Sequence, residues 1–105
     1  MSQSEAQTRL ETDPLGDVNV PAVALYGVQT QRALDNFRIS NLRVHPALIT
    51  AYAEIKQAAA EANRTTGALQ PEMANAIIRA ANELSAGQWR DQFQLDVFQA
   101  GAGTS

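Results

Sequence analysis

The residues best suited to chemistry stand at the end of the sequence, in Gly101-Ala102-Gly103-Thr104-Ser105. Glycines let a backbone come close to a ligand and expose its N–H groups, and the neighbouring hydroxyls add donors. Such a run suits a carboxylate or a phosphate. It equally fits an ordinary Gly-rich turn, and spacing alone does not choose between them. A phosphate loop of the Walker type needs a lysine immediately before its Ser or Thr, where this chain has Gly103. His45 is the sole histidine and precedes Pro46 with no nucleophile or metal-ligand partner nearby, so a helix-opening or surface role is expected. Glu11 and Asp13 lie close together, and a solvated turn is the simpler expectation for them.

Elements must position these groups, and the strongest periodic signal follows Pro46. Leu48, Tyr52, Ile55, Ala59 and Ala62 recur at spacings of four and three, which predicts a helix packed through that stripe and ended by Gly67. A second helix is expected from Pro71 to Gly87, burying Met73, Ile77, Ile78, Ala81 and Leu84. The short linker makes the two an antiparallel pair. Earlier, Leu10 and Thr12, then Val18-Asn19-Val20, read as short extended pieces around a turn at Pro14 and Gly16, with Pro21 ending the second. Thr30 is a candidate cap for a short helix running to Phe37, with Ala33, Leu34 and Phe37 on one side. The expected fold is mainly α: a short β-hairpin, a short helix and an antiparallel helix pair, in one domain over 9–105 behind a flexible tail over 1–8.

Composition limits the possible partners. A chain of 105 residues can bury about two-thirds of the surface it exposes when unfolded. Its 45% hydrophobic share is rich in alanine, however, so helices can approach closely while burying little area each. The formal net charge is -3 and the eight basic residues are scattered, so neither nucleic acid nor a membrane surface is expected as a partner. There is no cysteine for disulfides, thiolate chemistry or Cys-based zinc sites. The first residues do not have the charged start and apolar run of a signal peptide, and a cytoplasmic setting is the default.

Three runs in order resemble the aspartase and class II fumarase branch of the fumarate lyase superfamily. They are Val20-Pro21 with Ala24-Leu25-Tyr26-Gly27-Val28-Gln29-Thr30-Gln31-Arg32-Ala33-Leu34-Asp35-Asn36-Phe37, then Ile55-Lys56-Gln57-Ala58-Ala59-Ala60-Glu61-Ala62-Asn63, and finally Asp96-Val97-Phe98-Gln99-Ala100-Gly101-Ala102-Gly103-Thr104-Ser105. The similarity extends from about Arg9 to the last residue.

The resemblance implies a small first domain of a larger, mainly helical enzyme, a homotetramer whose active sites each draw on three subunits. The implied reaction is an anti elimination that needs no metal or organic cofactor. A base removes a proton beside the β-carboxylate, and donors aimed at that carboxylate lower the barrier. Thr104 matches the family threonine that takes part in this binding, with Gly101, Gly103 and Ser105 supporting the loop. The Asn-rich continuation, the Thr-His segment and the loop bearing the catalytic serine lie further along family chains, so no catalytic residue is expected in these 105 and the chain alone should be inert. The final run looks like the aspartase version, with Ala102 where fumarases of this branch place a serine, so L-aspartate and fumarate are the expected ligands. A piece of a fumarase acting on malate and a free-standing helical interaction module are the alternatives.

Overall fold

The computed structural model describes residues 7–104. Their contacts divide the chain into two units, one holding the chain up to Arg43 together with the segment from Gln92 onward, the other spanning Val44–Asp91.

The first unit opens with an antiparallel hairpin of strands β1 (Thr8–Asp13) and β2 (Gly16–Pro21), paired from Thr8 opposite Pro21 to Asp13 opposite Gly16. Pro14 and Leu15 make the turn, which the Asp13 carboxylate closes by accepting the Leu15 amide at 2.9 Å. Thr8, the last residue of the expected tail, is thus the first of β1, and the Gln7 carbonyl accepts the Ala22 amide at 3.0 Å. Residues 1–6 of that tail lie outside the described residues.

Alternation along β1 turns Arg9, Glu11 and Asp13 to the half-buried face, a charged set where an apolar one is usual. Each finds a partner. Arg9 reaches the carbonyls of Pro21, Ala22, Ala24 and Tyr26 at 2.7 to 3.1 Å and Glu11 at 2.6 Å, so one guanidinium shapes the chain leaving the hairpin. Asp13 receives Arg32 in a two-pronged pair at 2.8 Å on each oxygen, and Gln29 at 3.0 Å. With its side chain only 5% exposed, Asp13 is no solvated turn residue, which corrects that expectation. The bonded Arg32 holds the Asp13 carboxyl below the usual carboxylate range.

Arg32 and Gln29 belong to α1 (Val28–Asn36). Gly27, and not Thr30, occupies its N-cap position, and no side chain of the cap residue bonds the first turn. Glu11 supplies the missing acceptor from β1, taking the Val28 amide at 3.0 Å. A carboxylate there also complements the positive end of the helix. A Cβ on Gly27 would lie 3.0 Å from that carboxylate oxygen, so a bare backbone permits the approach. The sequence rule for caps looks only at local residues, and here the cap arrives from across the fold.

The second unit is the helix pair α2 (Pro46–Thr66) and α3 (Pro71–Ser85). His45 caps α2 through Nδ1, which accepts the Ala47 amide at 3.0 Å, with Pro46 in the first turn as expected. Gly67 ends α2 with φ of 80°. Beyond α3, the Gly87 amide bonds the Leu84 carbonyl and the Gln88 amide bonds that of Glu83, the Schellman arrangement that a positive φ of 97° at Gly87 makes possible. Arg90 then joins the far ends of the pair, donating to Thr50 Oγ1 at 3.0 Å and to the Leu84 carbonyl at 3.1 Å.

The buried face of α2 differs from the expected stripe. Ile49, Ala53 and Ala60 are buried, whereas Leu48, Tyr52 and Ile55 stay 47 to 61% exposed. The true stripe sits one residue, or about 100°, round the helix. On α3 the buried residues are Ala74 and Ala81, with Ile77, Ile78 and Leu84 half-buried and Met73 exposed. Apart from Ile49, the buried positions of the two helices are alanines, which allow close backbone approach, and the other larger apolar side chains are half-buried or exposed.

Candidate functional site

The segment that carries the Gly-rich run is organised by Asp96, a carboxylate only 6% exposed. Its oxygens accept the amides of Ser40 at 2.5 Å, Asn41 at 3.0 Å and Phe98 at 2.9 Å, and the Ser40 hydroxyl at 3.0 Å. The Phe98 amide foremost, with those of Ser40 and Asn41 and the hydroxyl, holds the Asp96 carboxyl down to about 2, while its burial works the other way. Asp96 therefore stays charged as an anchor. The residues on either side follow it: Arg43 bridges Asp96 in antiparallel fashion, and the Val97 amide donates to the Leu42 carbonyl at 3.1 Å. Asn41 adopts φ of 64° here, a left-handed conformation that asparagine tolerates better than most residues.

From this anchor the chain is passed on by further bonds. The Gln99 amide donates to the Asp96 carbonyl at 3.2 Å, and the Gln99 side-chain oxygen accepts the Gly101 amide at 2.6 Å. Gly101 and Gly103 have φ of 78° and 100°. A Cβ at either would meet nothing within 4 Å, so backbone conformation and not crowding calls for glycine there. Ala100 to Thr104 are exposed, leaving this backbone open to a ligand. Thr104 is exposed with them, and Ser105 lies outside the described residues.

A cleft of about 430 Å³ in the same unit is bordered by Tyr26, Gln31, Phe37, Arg38, Arg43 and Asp96 among others, and takes no part of its wall from Gly101, Gly103 or Thr104. His45 is spent on its helix cap and lies in the other unit. Among the described residues no group of three or more His, Cys, Asp or Glu side chains could hold a metal ion, and no helix is long and apolar enough to cross a membrane.

Sequence reasoning about single residues did not single out Asp96, Gln99, Arg9 or Arg32. Asp96 had a local signal: an aspartate whose side chain bonds the amide two residues on is a common turn device. The other half of its role, at Ser40 and Asn41, is 56 and 55 residues away in sequence and leaves no local trace. Arg9 and Arg32 look like any scattered surface arginines until the hairpin brings carbonyls and Asp13 to them.

Comparison with known proteins places this geometry in a family. A family profile described as lyase matches residues 16–105. A class II fumarate hydratase of Thermosynechococcus vestitus is 54% identical over 97 residues, covering 92% of this chain and 21% of that protein. An aspartate ammonia-lyase of a Bacillus species is 47% identical over 97 residues, with the same coverage of 92% and 21%. Among solved structures, the fumarate lyase:delta crystallin of Brucella melitensis superposes with a TM-score of 0.88 at 42% identity, over 93% of this chain and 22% of that one. The chain thus spans about a fifth of the length of the curated relatives it matches. The hairpin, the short helix and the helix pair are those of its amino-terminal region, and the chain belongs to the lyase family, within the fumarate lyase superfamily.

Proposed function

We propose that the chain serves, as part of a longer polypeptide, an elimination that releases fumarate, and that its own contribution is to bind a substrate carboxylate through Gly101 to Thr104. The observation that carries this reading is the exposed, left-handed glycine segment tethered to a charged, buried Asp96, in a chain 54% identical to a fumarase. In such an elimination negative charge moves onto the carboxylate beside the carbon that loses its proton. Backbone amides and the Thr104 hydroxyl, aimed at those oxygens, would stabilise the charge as it develops. The same reading includes assembly as a homotetramer.

The leaving group has two readings, each with its own support. Ammonia, from L-aspartate, is favoured by Ala102, whose methyl group offers no hydrogen bond where a water-handling site would use a serine. Water, from malate, is favoured by the relatives, since class II fumarases match at 54% and 50% identity and the aspartate ammonia-lyase at 47%. The longer enzyme carrying this segment, given each substrate in turn, separates them through the ultraviolet absorbance of fumarate. Rapid release from aspartate with slow turnover of malate selects ammonia, and the reverse selects water. Turnover of neither would overturn the elimination itself.

A further inference from the structure

We propose that Gln99 is a positioning residue for the carboxylate-binding segment, with Asp96 as its fixed anchor. The inference rests on the reading of Gly101 to Thr104 as that segment, and concerns how its shape is held.

The observations form a chain of bonds. Asp96 is pinned to Ser40 and Asn41 on one side and to the Phe98 amide on the other. The Gln99 amide returns to the Asp96 carbonyl, and the Gln99 side-chain oxygen holds the Gly101 amide at 2.6 Å. Gly101 is the first of two left-handed residues, and a run of this kind has many competing conformations. A glycine segment with no side chains to pack is fixed only by bonds to its backbone, and among the described residues Gln99 supplies the one at its start. Gln99 is half-buried, so its side chain has a defined place from which to act. Its amide group need not touch the substrate. It favours one backbone shape for the exposed segment from Gly101 to Thr104, and removing it leaves the ligand to order the loop at its own cost.

The test uses the longer enzyme with Gln99→Met, Thr104→Val and the double variant. Gln99→Met keeps length and removes the acceptor. Binding is read with succinate, a four-carbon dicarboxylate that has no leaving group, alongside kcat and KM. Gln99→Met should weaken succinate binding and raise KM by about three- to tenfold, the range expected for one hydrogen bond, with kcat changed far less. In the Thr104→Val background the same change should cost less than it does alone, because both act on one contact. Asp96→Asn, which keeps shape but loses one acceptor, should show the same KM-weighted loss. Full additivity of Gln99→Met and Thr104→Val, or unchanged succinate binding in Gln99→Met while Thr104→Val binds weakly, would overturn the positioning role alone. Unchanged binding in Thr104→Val would overturn the carboxylate-site reading on which it rests. If Asp96→Asn does not fold, the Gln99 variants still decide.

Discussion

Asp96 and Thr104 stand eight residues apart and exert their effects by different physics. Asp96 is a buried charge whose ordinary pKa of 3.8 is drawn to about 2 by the amides it accepts. A carboxyl whose pKa is lower when folded contributes stability that is present above about pH 4 and is lost as the pH falls towards 2. Asp96→Asn should therefore be less stable than the parent at neutral pH and show a shallower loss of stability between pH 4 and 2, measured by denaturant titration across that range. Equal acid dependence in both proteins would remove Asp96 as the anchor. Thr104 is exposed and contributes little to the fold. In the longer enzyme Thr104→Val should leave the melting temperature unchanged and lower kcat/KM by ten- to a hundredfold, since a charge-assisted bond is worth about 1.5 to 3 kcal/mol. Steady-state kinetics with equal efficiency in parent and variant would take Thr104 out of the site.

At the scale of elements, the helix pair is held by an alanine seam and by its ends. Ala74 of α3 is fully buried, and a larger side chain there must displace what packs around it. Ala74→Leu should cost about 1 to 3 kcal/mol, whereas Leu48→Ala, at a side chain 47% exposed, should stay within about 0.5 kcal/mol. Denaturant titration at concentrations that keep the chain monomeric distinguishes the two. A large loss at Leu48 with none at Ala74 would restore the stripe that periodicity alone suggested. Periodicity failed here for a physical reason: it ranks residues by hydrophobicity, while close helix packing favours small size, so Leu48, Tyr52 and Ile55 stand outside and only Ile49 of the larger α2 side chains is buried. In the hairpin the same logic is inverted. Charged residues of β1 face inward because Arg9, Glu11 and Asp13 each meet a carbonyl, an amide or an opposite charge there.

For the whole molecule, the exposed face of α2 has a consequence. Leu48, Tyr52 and Ile55 lie on it at 47 to 61% exposure, and Met73 on α3 is 56% exposed. Apolar groups left in water at this density favour association. A polypeptide of these 105 residues should self-associate as its concentration rises, which sedimentation velocity would record. A monomer at all concentrations, melting well above the usual mesophilic range of roughly 45 to 65 °C, would contradict this. The same polypeptide should convert neither aspartate nor malate, because it spans only about a fifth of the length of the curated relatives it matches. Fumarate absorbance from a preparation free of host lyase checks it.

Much about this chain is determined by local sequence. Proline and glycine mark the hairpin turn and both ends of the helix pair, His45 before Pro46 opens α2, and the family match extends over residues 16–105. These are effects of backbone freedom and of contiguous motifs, which a linear reading captures. Tertiary structure alone decided which face of α2 is buried, that Glu11 caps α1, that Asp13 pairs with Arg32, and that Asp96 joins Ser40 to the Gly-rich segment. Each of these depends on groups 17 or more residues apart, or on the fit of one surface to another, and such partners become neighbours only after the chain has folded.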